Sequence, residues 1–296
     1  MAKAGRRTTS RRELSGHERF EQVSPEVGVL DEEALAEGLR DDPDATLALL
    51  ADLAGATDRE LRELARRLAA RLFLDLAPRG PAARGIGHLR SGPYRPDGGD
   101  LDLDASLEAL SERATGLVDP ARLRVRTWER PATALCLLVD RSGSMGGRAL
   151  ATAALAAAAV ATRAPTDYSV LAFGKDVVVA KSQHTPRAGE KVVNDLLTLR
   201  GFGTTDLAAA LHAAHDQLAR SRAGRKIAIL LSDCRSTAGA DPVAAARALD
   251  ELVIVAPARD ADEAVEFAAR AGARCLTVSG PGEVGAALSR AFERTA

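Results

Sequence analysis

The chain has 296 residues, a formal net charge of −1, and a composition that is 46% hydrophobic but only 3% aromatic. A nearly neutral charge gives no basis for binding nucleic acid or a membrane surface, and no apolar run reaches the roughly 18 residues of a membrane span. Three cysteines without close spacing argue against a disulfide framework or a zinc knuckle. We therefore expect a cytoplasmic protein with small buried thiols.

The composition changes along the chain and predicts four regions. Residues 1–25 are basic and lack the apolar core of a signal peptide, so we expect a disordered arm. Residues 26–77 have helical periodicity, and residues 78–130 are rich in Pro, Gly and Arg, which indicates a linker with an acidic segment and a short helix. Residues 131–296 alternate between strand and helix patterns and form the main predicted domain.

Capping residues divide the helical region into three helices. Asp31 is placed to cap the first helix, and Asp42 with Pro43 opens the second. Thr57 has the capping-box spacing to Glu60 and is predicted to open the third. The third helix also carries a row of arginines, which is typical of a solvated face and less often of a docking surface: Arg62, Arg66, Arg67 and Arg71.

An acidic run follows the Pro- and Gly-rich stretch. Its three alternating carboxylates are Asp100, Asp102 and Asp104. An EF-hand loop would need Gly at Ala105 and Glu at Ser111, so calcium binding is disfavoured. We expect Asp104 to cap a helix over residues 105–113, and residues 123–128 to form an edge strand leading to the main sheet.

The main domain is predicted to be α/β, with a doubly wound, mostly parallel six-stranded sheet and one antiparallel edge strand. The predicted strands are residues 133–140, 168–173, 177–181, 227–233, 252–255 and 275–278. The predicted helices are residues 148–163, 206–221, 242–249, 262–271 and 283–294. The tight turn at residues 174–176 makes the second and third strands a hairpin.

Oxygen-bearing side chains follow the predicted strands in three loops. Asp140 ends the first buried strand and precedes Ser142 and Ser144, Thr205 lies before a helix, and Asp233 follows a later strand. In a wound sheet, loops at the carboxyl ends of neighbouring strands converge. An oxygen set without His or thiolate suits Mg²⁺, Mn²⁺ or Ca²⁺ rather than zinc. Two carboxylates balance a divalent ion, which can then accept a carboxylate from another protein.

The sequence DRSGSM, which begins at Asp140, resembles the DxSxS motif of the von Willebrand factor A (VWA) domain. In that family a metal-ion-dependent adhesion site (MIDAS) adds a Thr from a Gly-Thr-Asp-Leu loop and an Asp after a later strand. The matching residues here are Thr205 in GTTDL and Asp233 in LLSD. The resemblance covers residues 131–296 and implies a Mg²⁺ or Mn²⁺ site that captures a partner's Glu or Asp.

The upstream sequence DLDLDASL resembles bacterial cytosolic VWA proteins that work beside MoxR-type AAA+ ATPases. These include accessory proteins of carbon monoxide dehydrogenase maturation and the metal-binding half of the magnesium chelatase D subunit. The resemblance implies a chaperone-like adaptor in protein-complex maturation or metal insertion. No Walker motif occurs, so the ATPase is expected in trans.

Enzymatic alternatives fit the sequence less well. An esterase elbow centred on Ser144 needs Gly where Ser142 stands, and an aspartyl phosphatase needs a second Asp at the same position. We therefore expect no catalytic activity; a structural domain with an inactive metal site is the other alternative. His212 and His215 are interpreted as surface or packing residues, and the GxGxxG at residues 280–285 as a turn and helix start.

Overall fold

The computed structural model describes residues 8–77, 88–94, 100–111, 119–129, 133–141, 147–198 and 203–293. These residues belong to two compact units. The larger contains residues 1–80, 133–222 and 226–296, so the N-terminal helices belong to the same unit as the main sheet. The smaller contains residues 81–132 and 223–225.

Five helices precede residue 80 in the described part of the chain. They are α1 (Arg11–Leu14), α2 (Phe20–Val23), α3 (Glu32–Asp41), α4 (Pro43–Leu53) and α5 (Arg59–Leu76). The expectation of a disordered arm is wrong for residues 8–25. Leu14, Phe20 and Val23 are at most 1% exposed, and burial of these apolar side chains orders the segment.

The predicted caps of α3 and α4 are confirmed, whereas that of α5 moves by one residue. The Asp31 carboxylate accepts hydrogen bonds from two amides of α3, and Asp42 accepts one from α4. Asp58 rather than Thr57 caps α5, because the Thr57 hydroxyl donates to the carbonyl of Thr9, 3.1 Å away.

The arginine row of α5 is partly structural. Arg62 and Arg66 donate to the carbonyls of Ala56 and Ala54, which follow α4. These guanidinium groups satisfy backbone acceptors at the end of that helix. Two of the four arginines that were predicted to form a solvated face therefore connect α5 to the end of α4.

The smaller unit replaces the predicted linker with a folded element. It contains β1 (His88–Pro93), β2 (Asp100–Leu101), α6 (Leu103–Ser111) and β3 (Arg124–Glu129), and the strands form an antiparallel sheet in the order β1-β3-β2. Gly92 and Pro93 lie at the end of an edge strand, where a missing amide hydrogen is tolerated. The Gly- and Pro-rich composition therefore did not exclude a strand.

Two further expectations about this unit are wrong. Strand β3 is the centre of the small sheet, not an edge strand of the main one. Asp102 rather than Asp104 accepts from the amide of Ala105, at 3.2 Å. The backbone explains the difference: the Asp102 amide donates to the Arg124 carbonyl of β3 and the residue is buried, whereas Asp104 lies within the helix with its side chain exposed.

The main sheet confirms the predicted architecture. Its strands are β4 (Thr133–Asp140), β5 (Tyr168–Phe173), β6 (Val177–Lys181), β7 (Arg225–Leu231), β8 (Glu251–Pro257) and β9 (Arg274–Val278). The order is β6-β5-β4-β7-β8-β9. Strand β4 pairs in parallel with β5, as do β7 with β8 and β8 with β9, whereas β5 pairs antiparallel with the edge strand β6. The chain leaves β4 towards β5 on one side and reaches β7 on the other, so the topological switch point lies between β4 and β7.

Helices cover both faces of this sheet. They are α7 (Gly147–Arg163), α8 (Gly189–Thr198), α9 (Leu207–Ala219), α10 (Val243–Arg247), α11 (Asp262–Ala271) and α12 (Pro281–Phe292). Helices α7, α8 and α12 pack on one face, and α9 to α11 on the other. Helix α8 was not predicted from the sequence. No described helix is long and apolar enough to cross a bilayer.

The N-terminal helices form a third layer over α7, α8 and α12. Helix α4 packs on α7 and α12, while α5 packs on α7 and α8. The many alanines of α7 allow this close packing on both sides, and twelve of its residues are buried. Leu50 of α4 and Leu137 of β4 belong to one continuous hydrophobic cluster, so these helices and the sheet share a core.

Candidate metal centre

The described parts of the three predicted loops meet at the carboxyl edge of the main sheet. Asp140 is the last residue of β4, and Ser232 and Asp233 directly follow the adjacent strand β7. Thr205 lies just before α9. The switch point therefore places the first and third loops side by side, as the order of the strands requires.

A hydrogen bond joins the first loop to the third. Asp140 is 6% exposed, and its Oδ2 accepts from the Ser232 hydroxyl at 2.7 Å. The same hydroxyl oxygen accepts from the Cys234 amide at 2.9 Å. Ser232 therefore fixes the Asp140 carboxylate and the turn after β7. Cys234 adopts a left-handed backbone with φ of 63°, a strained conformation for a residue with a Cβ.

Asp233 is half-buried and lies on a turn that is stabilised by the ion pairs of Arg235. Its Oδ1 accepts from the Arg235 amide at 3.0 Å. The Arg235 guanidinium contacts Asp260, at 2.6 Å, and also Glu263. These contacts raise the pKa of Arg235, first through the hydrogen bond to Glu263 and then through the charge of Asp260. Asp233 Oδ2 makes no hydrogen bond within the described ranges and is available to a cation.

The second loop is tied to the third by its backbone. The Thr205 amide donates to the Thr237 hydroxyl at 2.8 Å, and the Thr205 carbonyl accepts from the amides of Thr237 and Ala238. Thr205 is 3% exposed, whereas Thr204 is exposed. Because its backbone groups are engaged, only the Thr205 hydroxyl is left without a hydrogen bond among the described residues. This arrangement favours Thr205 over Thr204 as an oxygen donor.

The charges of both site carboxylates affect the pKa of the Cys234 thiol. Burial raises the pKa of this thiol most, and the charges of Asp233 and Asp140 raise it further. The neighbouring Cys275 acts in the same direction. Cys234 therefore remains a neutral thiol at physiological pH in the metal-free chain. The donors that the sequence predicts for the site are all oxygens.

A cavity of about 450 Å³ opens beside Asp140 and Asp233. Its floor is aliphatic, with Val139 and Val255 among the lining residues. Arg148 and Arg259 also line it; both are exposed, and neither forms an ion pair with a described carboxylate. The cavity thus places unpaired positive charge next to the two site carboxylates.

Three of the five predicted oxygen donors lie among the described residues. Asp140, Thr205 and Asp233 lie in the three connected loops, whereas Ser142 and Ser144 lie outside the described residues. No group of three or more His, Cys, Asp or Glu side chains that could hold a metal occurs in the described ranges. Two carboxylates with hydroxyl donors are an oxygen set that fits Mg²⁺ or Mn²⁺. His212 and His215 are both exposed, as predicted for surface residues.

Sequence reasoning missed several residues that shape this edge. Ser232 was signalled only by its position beside Asp233. Asp44 and Asp52 of α4 reach the edge from the N-terminal region: Asp44 accepts from the Gly282 amide at 2.7 Å, and Asp52 from the Gly147 amide at 3.1 Å. Asp44 therefore occupies the start of α12 that a GxGxxG loop would offer to a phosphate, and the interpretation of a turn and helix start is confirmed.

Sheet order, switch-point loops and oxygen donors together define a VWA-type α/β domain. The sequence profile of the family described as "VWA domain containing CoxE-like protein" matches residues 64–276, which is more than half of the chain. The chain belongs to this family. The predicted relationship to VWA domain proteins is thereby confirmed.

Solved structures give more distant similarities. Proximal thread matrix protein 1 from the mussel byssus is 18% identical, with a TM-score of 0.46 over 54% of this chain and 46% of that chain. A von Willebrand factor type A protein from Catenulispora acidiphila is 17% identical, with a TM-score of 0.44 over 56% and 43%. Manganese-loaded TRAP protein from Plasmodium vivax is 18% identical, with a TM-score of 0.42 over 53% and 72%.

This chain thus covers less than half the length of the mussel and Catenulispora proteins. The mussel protein has also been solved with a zinc-occupied MIDAS motif, at 16% identity and a TM-score of 0.42 over 53% of this chain and 46% of that chain. A search of curated proteins gives no match.

Proposed function

We propose that this protein is a metal-ion-dependent protein-binding module that captures a Glu or Asp side chain of a partner. The observation that supports this most is the connection of three oxygen-bearing loops at one sheet edge, through Asp140, Ser232 and Thr205. Asp140, Ser142, Ser144, Thr205 and Asp233 would hold the ion, with Mg²⁺ or Mn²⁺ as the preferred metal. The ion supplies a positive centre for one external carboxylate.

The charges around the site support capture of an acidic group. Asp140 and Asp233 together balance a divalent cation. Arg148 and Arg259 lie in the adjacent cavity without carboxylate partners among the described residues. An approaching acidic segment therefore meets a neutral metal site beside two positive charges, which favours its association. Since Ser142 stands where an esterase elbow needs Gly and an aspartyl phosphatase needs a second Asp, we propose binding rather than catalysis.

We further propose that the partner system is a MoxR-type AAA+ ATPase acting in trans during protein-complex maturation or metal insertion. The membership in the CoxE-like family supports this proposal. We place the interaction in the bacterial cytoplasm, where thiols stay reduced, in keeping with the three free cysteines. We expect no nucleic-acid or membrane partner.

Two measurements test this function. First, Mn²⁺ titration monitored by thermal unfolding should raise the melting temperature of the wild type, since a ligand that binds only the native state stabilises it. Asp140→Ala should remove this shift, and Asp216→Ala, an exposed carboxylate on α9, is the matched control. Second, the MoxR-type ATPase of the same organism should co-purify with the chain in Mg²⁺ and be released by EDTA.

Contrary results would identify the alternatives. A wild type whose stability is unchanged by Mn²⁺ and Mg²⁺ would indicate a structural VWA domain with an inactive metal site. Co-purification that survives both EDTA and Asp140→Ala would place the partner surface elsewhere. Hydrolysis of a phosphate ester that is lost in Asp140→Ala would instead indicate an aspartate-dependent phosphohydrolase.

A further inference from the structure

One helix of the N-terminal region contacts the starts of two helices of the main domain. The Asp52 carboxylate of α4 accepts from the amide of Gly147, the first residue of α7, and Asp44 of the same helix accepts from the Gly282 amide in α12. Helix starts carry unpaired amides and a partial positive charge, so both carboxylates are well placed electrostatically. Only α7 directly follows the DxSxS loop.

Close approach of α4 explains why glycine stands at both contacts. A Cβ on Gly147 would lie 2.8 Å from Asp52 Oδ2 and 3.3 Å from the Ala48 Cβ. A Cβ on Gly280 would lie 1.9 Å from Asp44 Oδ2. The glycine that ends the DxSxS loop therefore makes room for a carboxylate of the N-terminal region.

Asp52 is itself held from its other side. Its Oδ2 lies 3.0 Å from His17 Nε2, and its side chain is 16% exposed. His17 follows α1, whose Leu14 is buried in the common core. The orientation of Asp52 thus depends on the segment that follows α1 as well as on α4.

The DxSxS loop runs between two anchored residues. At its start the Arg141 amide donates to the Phe173 carbonyl of β5, at 2.7 Å. At its end the Gly147 amide donates to Asp52. Residues 142–146, which include Ser142 and Ser144, connect these points along the chain. The two residues that flank the loop are thus fixed, and fixing the ends of a loop lowers the conformational entropy that is lost when the loop becomes ordered.

We propose that Asp52 is a positioning residue of the metal centre, through which the N-terminal helices raise the affinity for the divalent ion. This inference rests on the proposed metal site and adds a role for the helical region. In this role Asp52 is not a ligand of the ion but fixes Gly147, the residue that follows the proposed serine ligands in the chain.

Mn²⁺ affinity of the full chain, measured from the free-ion signal in electron paramagnetic resonance, tests the proposal. Asp52→Ala should weaken Mn²⁺ binding about fivefold, the effect expected for a lost helix cap. Asp44→Ala is the matched control, because it removes the same kind of contact from the same helix but at α12; its affinity should stay within twofold. Asp52→Asn, which keeps an acceptor oxygen, should restore most of the affinity.

Each outcome has one meaning. If the wild type and Asp52→Ala bind Mn²⁺ with equal affinity, the proposal is overturned. It is also overturned if Asp44→Ala loses as much affinity as Asp52→Ala, because that result would indicate general destabilisation. Wild type that does not bind Mn²⁺ would instead refute the proposed function. If Asp52→Ala does not fold, His17→Ala keeps the carboxylate but removes its support: a two- to threefold loss supports the role of Asp52, and unchanged affinity contradicts it.

Discussion

Ser232 is the residue that connects the first and third site loops, and its removal should cost the metal-free protein measurable stability. In Ser232→Ala the Asp140 carboxylate loses a hydroxyl donor at 2.7 Å and the Cys234 amide loses its acceptor at 2.9 Å. A hydrogen bond to a charged group contributes about 1.5–3 kcal/mol, and an unpaired buried amide costs about 1–3 kcal/mol. Water at the sheet edge replaces part of this, so we expect a net loss of about 2–3 kcal/mol.

Urea unfolding in EDTA, followed by circular dichroism, measures this loss without interference from bound metal. In thermal unfolding, the melting temperature of a unit of this size falls by about 2–4 °C for each kcal/mol of stability lost. We therefore expect the melting temperature of Ser232→Ala to be lower by roughly 4–12 °C. Ser279→Ala is the control, since Ser279 lines the same cavity and is exposed. A loss below about 0.5 kcal/mol, equal to that of Ser279→Ala, would refute the argument that Ser232 joins the two loops.

Three further predictions follow from the core, the thiols and the smaller unit. Leu50→Ala removes a fully buried side chain from the common core and should lower the free energy of unfolding by about 2–5 kcal/mol; hydrogen exchange should show α7 losing protection together with α4, and loss confined to α4 would contradict a common core. Burial raises the pKa of Cys136 to about 12, so iodoacetamide at pH 8 should modify this thiol only after unfolding, which peptide mass spectrometry detects. The hydrogen bond from Ser91, followed by those from the Ala105 amide and Arg126, lowers the pKa of Asp102. The stabilisation from Asp102 is therefore complete above its unfolded value of 3.8 and is lost as the pH falls through the lower folded value. Hydrogen exchange of the β3 amides should report this loss, and an unchanged pH profile in Asp102→Asn would contradict it.

Much of the sheet could be predicted because its strands are distinctive in sequence. Leu135 to Val139 form a continuous apolar run between Pro131 and Asp140, and β4 has the bounds that this pattern predicts. Helix α8 was missed although Val192, Val193, Leu196 and Leu197 have helical spacing and are buried. Its pattern lies in a polar stretch after the hairpin, where a loop was the simpler interpretation.

The errors arose where tertiary contacts decide between equivalent residues. Thr57 and Asp58 are both good helix caps, and the bond from Thr57 to Thr9 leaves the role to Asp58. Asp102 and Asp104 are distinguished by the burial of Asp102 against β3, a strand that was not predicted to be their neighbour. The contact of Asp52 with Gly147 spans 95 positions and has no local signal.

The part of the chain that matches the family profile begins at residue 64, inside α5, and ends at residue 276, inside β9. A fragment cut at those limits would divide α5 and β9, lack α1 to α4 and α12, and expose the alanine-rich outer face of α7 to water. The smallest fragment that folds on its own is therefore expected to be larger than the region that the family profile matches. We expect recombinant fragments of this chain to remain free of aggregates only when they begin before Ser10, whose hydroxyl caps the first helix.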